Sequence, residues 1–227
     1  AIRAAADGPT GSTANPLSAT QYQTLGVSGA GTSPNGLALL NSAVDVASQS
    51  QVDTVGELQS LTDAANGVIG AASGGPAPTL AELQTLGVTG VTPDNLAAIQ
   101  QAIAATADDG SEVGDLNILQ ALVTSTAGAA AAAVTTISSA AQADTASAGT
   151  PSAADYAAAG ITGVSAANLA AINSVLDSTA IDSAAVDTSA EVQHLVDAYN
   201  AILAAADGQP GTAARRLRAT QPPPRGP

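Results

Sequence analysis

The sequence predicts an all-α fold: a tandem array of three small three-helix bundles, ending in an extended or disordered basic, Pro-rich tail. Three observations predict it. One block of sequence returns twice, large aliphatic residues recur with a period near 3.6, and start and stop signals bracket each periodic segment. Sustained β alternation is absent.

The repeat is the strongest of these. Gln23-Thr24-Leu25-Gly26-Val27-Ser28-Gly29 returns as Gln84-Thr85-Leu86-Gly87-Val88-Thr89-Gly90 and again as Ala157-Ala158-Ala159-Gly160-Ile161-Thr162-Gly163, at separations of 61 and 73 residues. A second block, Ser33-Pro34-Asn35-Gly36-Leu37, returns as Thr92-Pro93-Asp94-Asn95-Leu96 and Ser165-Ala166-Ala167-Asn168-Leu169. A third, Val52-Asp53-Thr54-Val55-Gly56-Glu57-Leu58-Gln59, returns near the end as Val186-Asp187-Thr188-Ser189-Ala190-Glu191-Val192-Gln193. Its middle form, Val113-Gly114-Asp115-Leu116, is more degenerate. The copies span 9–75, 76–149 and 150–208. Residues 1–8 match Ala201–Gly208 and read as the tail of a preceding copy, so the chain reads as part of a longer array. Residues 209–227 form the Arg- and Pro-rich tail.

Each copy reads as three helices. The first opens on a capping box, in which a hydroxyl and the residue three later satisfy two orphan backbone N–H groups: Ser18 with Gln21, Thr79 with Glu82, Ser152 with Asp155. Gly26, Gly87 and Gly160 sit where a left-handed residue closes a helix. The second helix starts at Ser33-Pro34, Thr92-Pro93 and Ser165, a hydroxyl cap followed twice by Pro at the first helical position. The third starts on Thr54 with Glu57 and on Thr188 with Glu191. Apolar positions follow: Leu96, Ile99, Ile103, Leu116, Leu119 and Leu122 in copy two; Leu169, Ile172, Leu176, Val192, Leu195, Tyr199 and Ile202 in copy three. Tyr22, Leu83 and Tyr156 are equivalent and should anchor the first helix. Units this small have thin cores, so copies should lean on one another. The third helix of copy two should continue through 124–141, with Gly128 and Thr135-Thr136 its weak points.

Composition narrows the chemistry. The chain has 227 residues, no Cys, Met, Trp or Phe, and a net charge of −14. Its five basic residues are all Arg, and none lies between Ala4 and Ala214. A body without cations cannot neutralise phosphates, which excludes nucleic acid as its partner and disfavours anionic membranes. Zero Cys excludes disulfides and thiolate metal sites. No uninterrupted apolar run reaches about 18 residues, so no spanning helix and no membrane insertion are expected. The chain begins at Ala1 with no signal pattern and reads as a processed product.

No catalytic constellation emerges, no cofactor is expected, and the chain does not read as an enzyme. The sole histidine, His194, aligned with Ser60 and Ile118, reads as an ordinary helix position. Asp108, Asp109 and Glu112 are the calcium candidates, but EF-hand spacing fails around Gly110, and an acidic capping loop is the simpler reading. The loop around Asp182 and Asp187 reads the same way. Ala1, Ile2 and Arg3, with Arg215, Arg216 and Arg218, are candidates for assembly contacts, the tail arginines meeting an acidic face of another chain.

The pattern P-T-x-A-x-L/Y-x-x-L-G-V-T-G-V…N-L-A-A-I…V-D-T-x-x-E-L/V-Q-x-L-x-D-A resembles the tandem helical modules of large proteobacterial haemagglutinin- or adhesin-like surface proteins. The likeness covers most of 9–208 and is best at Pro78–Ile103 and Val186–Gly208. It implies an extracellular or cell-surface structural and adhesion segment with no active residues to carry over. The alternatives are a self-assembling subunit of an extracellular filament and a helical module that binds a host protein. Expected partners are neighbouring repeats, copies of the chain itself, or a host or cell-surface protein.

Overall fold

The computed structural model describes residues 6, 16–141 and 149–206. The protein is all-α, with no strand among the described residues. A short, a middle and a long helix recur three times: α1 (Ala19–Thr24), α2 (Pro34–Val46), α3 (Val55–Ala72); α4 (Leu80–Thr85), α5 (Pro93–Ala104), α6 (Leu116–Ala140); α7 (Ala153–Ala158), α8 (Leu169–Leu176), α9 (Ser189–Ala206). A single 3₁₀ turn precedes each long helix, at Gln49–Gln51, Ser111–Val113 and Ser183–Ala185. These turns carry no apolar period and were not foreseen.

The capping boxes form as the spacing requires. Thr79 N–H donates to Glu82 Oε2 at 2.7 Å while Glu82 N–H donates to Thr79 Oγ1 at 3.2 Å. Ser18 with Gln21, Ser152 with Asp155, Thr54 with Glu57 and Thr188 with Glu191 do the same. In the degenerate middle copy Asp115 caps α6 alone, accepting from Asn117 and Ile118 N–H. Each short helix ends on a Schellman turn: Gly26, Gly87 and Gly160 have φ of +92°, +86° and +79°, and the next residue's N–H returns to Tyr22, Leu83 or Tyr156 carbonyl. Only glycine holds that conformation cheaply.

Two details differ from expectation. Copy three has Ala166-Ala167 where the others have a Pro, and its middle helix starts at Leu169, not Ser165. The four residues before it form a turn closed by Ser165 N–H on Asn168 Oδ1 at 2.7 Å. The long α6 is unbroken through Gly128 and Thr135-Thr136. Both threonine hydroxyls donate back to carbonyls four residues earlier, and the alanine run around them supplies the best helix formers.

The buried side chains form two clusters. One unites copies one and two around Tyr22, Leu39, Leu40, Leu83, Leu86, Ile99, Ile103 and Leu119. The other gathers copy three around Tyr156, Ile172, Leu176, Val192 and Val196, with Ile137 and Ala140 of α6. Helix α6 belongs to both. Its first turns bury Leu116, Leu119 and Val123, its last bury Ala133, Ile137 and Ala140, and nothing in 124–129 is buried.

The expectation that no helix could span a bilayer is corrected by α6. It has 25 residues and contains an 18-residue stretch with a mean hydropathy of 1.5, long and apolar enough by length and composition. The test on uninterrupted apolar runs missed it because Thr, Ser and Gly break such a run without adding charge. Ile202 is a second correction. Its spacing placed it with the core, yet it is exposed.

Candidate functional site

The calcium candidates are not gathered into a site. Asp109 Oδ1 accepts from Ser111 N–H at 2.9 Å, hydrogen bonding from the Ser111 side chain and then its backbone holds that carboxyl below its ordinary range, and Glu112 Oε2 accepts from Ala107 N–H at 2.8 Å. The backbone of the same loop docks on copy one: Asn35 Nδ2 donates to Asp109 O at 2.7 Å, and Ser73 Oγ donates to Asp108 O. Among the described residues no three His, Asp or Glu side chains are placed to hold a metal ion. Asp182 caps the turn before α9 by accepting from Ala185 N–H. The assembly candidates Ala1, Ile2, Arg3, Arg215, Arg216 and Arg218 lie outside the described residues.

What recurs instead is a set of side-chain clasps. Gln59 Oε1 accepts from Ser28 N–H at 2.8 Å and its Nε2 donates to Ser28 O at 3.1 Å. Gln120 does the same to Thr89, and Gln193 to Thr162, with the same distances and the same 31-residue spacing. One amide thus pairs with both backbone groups of the loop after the Schellman turn and ties the first helix to the third. The clasp fixes the register of the degenerate middle copy. It places His194 opposite Ser60 and Ala121, which corrects the alignment to Ile118.

A second clasp holds the first helix to the middle one. Tyr22 hydroxyl donates to Asn41 Oδ1 at 2.9 Å, and Asn41 Nδ2 donates to Leu17 O at 2.9 Å. Tyr156, Asn173 and Pro151 repeat this at 2.8 Å and 2.8 Å. Copy two has Leu83 for the tyrosine and the longer Gln100 for the asparagine, and Gln100 Nε2 reaches Pro78 O at 2.8 Å. Burial pushes Tyr156 up to about 12, with the charge of Asp155 adding, and raises Tyr22 further, so both remain neutral donors.

The copies meet through one face of each middle helix. On α2, Asn35 holds the Asp109 carbonyl and Ser42 Oγ accepts from Leu116 N–H at 2.9 Å. On α5 the equivalent positions are Asp94 and Gln101. Asp94 O accepts from Ser189 Oγ, and Gln101 Nε2 donates to Gly160 O at 2.9 Å. The approach is close at Gly160, where a Cβ would stand 2.5 Å from Ala98 N. Beside this joint, Asp187 is raised above the ordinary range by its hydrogen bond to Glu191 and by that residue's charge, with burial and Asp94 adding. Copy three offers an open apolar groove of about 630 Å³ between α8 and α9, lined by Val175, Ile181, Leu195, Tyr199 and Ile202, with His194 at its edge.

No family model, curated protein or solved structure matches this chain. The clasps and the faces between copies are therefore the features from which a function is argued. Gln59 and Gln193 stood in the repeated block, but sequence spacing alone did not show that they reach back 31 residues.

Proposed function

We propose that the chain is a non-enzymatic structural segment of an extracellular or bacterial cell-surface protein, built as a tandem array of three three-helix bundles. The observation that carries this is the glutamine clasp. Three copies hold the same loop by the same pair of hydrogen bonds, so the residues that recur are those that build and join the units. A repeat kept for catalysis would instead be expected to repeat titratable groups around a cavity. The adhesin-like pattern supports the surface assignment, and a body with no Lys or Arg between Ala4 and Ala214 is suited to staying soluble and free of nucleic acid. In this reading α6 is a connector. Each of its ends is buried in a different core.

The test is the location of the protein in its source cells. Antibody raised against the chain should label intact cells, and external protease should remove the label. Labelling that appears only after lysis would overturn the surface assignment.

A further inference from the structure

The two joints between copies differ in charge at matching positions. In the first joint Asn35, in the first turn of α2, faces Gly114, just before α6: a Cβ at Gly114 would stand 3.1 Å from Asn35 Cβ. The Asn35 amide donates to the Asp109 carbonyl, and the Asp109 and Glu112 side chains accept from Ser111 and Ala107 N–H. Carried along the repeat, Asn35 becomes Asp94, Gly114 becomes Asp187 and Ile118 becomes Glu191. Three uncharged positions of the first joint thus each hold a carboxyl in the second.

The fold brings those carboxyls to one place. Ser189 Oγ donates to Asp94 O, which holds the start of α9 against the first turn of α5. Asp187 lies two residues before Ser189, hydrogen-bonds to Glu191 and meets the charge of Asp94 across the joint. No Lys or Arg between Ala4 and Ala214 offsets them. The remaining elements add little charge here. Helices α6 and α8 carry no ionisable side chain. On α7, Asp155 accepts from Ser152 N–H and Tyr156 hydroxyl donates to Asn173. Asp182 accepts from Ala185 N–H, and Asp197 accepts from Gln193 Nε2. His194, one turn beyond Glu191, lines the α8–α9 groove with it.

We propose that the joint between copies two and three is a like-charge hinge that acid closes: at neutral pH Asp94 opposes Asp187 and Glu191 and the joint opens readily, and a proton taken up among the three seats copy three on α5. The interaction of Asp187 with Glu191 lies within copy three and persists whether the joint is open or shut. The interaction with Asp94 exists only while it is shut. The shut form therefore holds the proton more firmly, and by linkage acid favours it. All three carboxyls are exposed, so the effect has the size of a surface charge pair, and salt, by screening the repulsion, favours closure as acid does. The first joint, with Asn35, Gly114 and Ile118 at these positions and an apolar core shared by its two copies, has no such response.

Hydrogen exchange of the full chain tests this, read as opening constants corrected for intrinsic exchange. Between about pH 7 and about pH 4.5 the lowered caps Glu57, Asp155 and Glu191 stay charged. Over that range the opening constants of α7, α8 and α9 should fall about two- to fivefold, the scale of an exposed charge pair, while α2 and α3 hold steady. Added salt at pH 7 should lower them in the same direction. Asp94→Asn installs the residue of the first joint, so α7, α8 and α9 should already be better protected at pH 7 and respond less to acid. An acidic residue in a first turn stabilises its helix, so a merely helical role for Asp94 would lower protection in this variant instead. His194→Gln should keep the response. Opening that ignores pH, a response undiminished in Asp94→Asn, or one abolished in His194→Gln would overturn the proposal. Each of these outcomes is independent of surface labelling, so the hinge and the proposed function stand or fall separately.

Discussion

At the scale of single residues, the three copies act as an internal mutation series. Tyr22 and Tyr156 each give a hydroxyl to an asparagine amide, whereas copy two replaces both partners, with Leu83 and Gln100. Burying a phenol without its acceptor costs free energy, as does overfilling a site shaped for leucine. Leu83→Tyr alone should therefore destabilise by about 1–3 kcal/mol, and Gln100→Asn added to it should recover about 1–2 kcal/mol. Denaturant melts of the two single variants and the double variant measure this coupling, and strict additivity would contradict it. The capping carboxylates give a second prediction. Glu57, Asp155 and Glu191 are held below their ordinary range by hydrogen bonds from Thr54, Ser152 and Thr188. A carboxyl lowered in the folded state contributes stability above its unfolded value and loses it as pH falls through the folded one. Asp187, raised by Glu191, works in the opposite sense, but it is one group against these three and Asp109. Melting temperature should fall as pH drops from about 5 to about 2, and less steeply in Thr54→Ala, which has one cap fewer. A melting temperature flat across that range would refute the assignment.

At the scale of elements, the decisive case is α6. Gly128 stands in its unburied middle with nothing within 4 Å of where a Cβ would be. Gly128→Ala should therefore stabilise the protein by about 0.4–1 kcal/mol by reducing unfolded-state entropy, read as a shift in denaturant midpoint without a change in slope. Destabilisation would mean that this stretch is not a straight free helix. The same helix shows where sequence was sufficient and where it was not. The capping boxes on Ser18, Thr54, Thr79, Ser152 and Thr188 and the Schellman glycines were legible, because those signals act within four or five residues, whereas the Ser48–Gln51 box of the first 3₁₀ turn was not read. The start of α8 was not, since Ser165 looks like a cap until Asn168 takes its N–H. The clasps by Gln59, Gln120 and Gln193 were not, because each joins groups 31 residues apart, and only the fold brings them together. The exposure of Ile202 was not, because a helical period shows which face is apolar but not whether anything covers it.

At the scale of the whole molecule, the burial pattern makes two cores from three copies, and the link between them is thin. Copies one and two share an apolar interior, whereas copy three joins copy two through the end of α6 and a few polar contacts on α5. The closest of these is Gly160 against the Ala97–Ala98 backbone, and Gly87 is its natural control. Both glycines have positive φ, so alanine at either site loses conformational ease worth about 1 kcal/mol. At Gly87 the new Cβ would meet only Val46 Cγ2 at 3.9 Å, an ordinary contact, whereas at Gly160 it would meet backbone at 2.5 Å. Backbone cannot rotate aside, so Gly160→Ala must push copy three off α5. Hydrogen exchange should then show faster opening of α7, α8 and α9 in Gly160→Ala, with α2 and α3 unchanged, while Gly87→Ala loosens the first core only modestly. Equal effects of the two substitutions would mean that strain at the turn, and not docking between copies, is what these glycines relieve, and the joint between copies two and three would lose its place in the stability of the array.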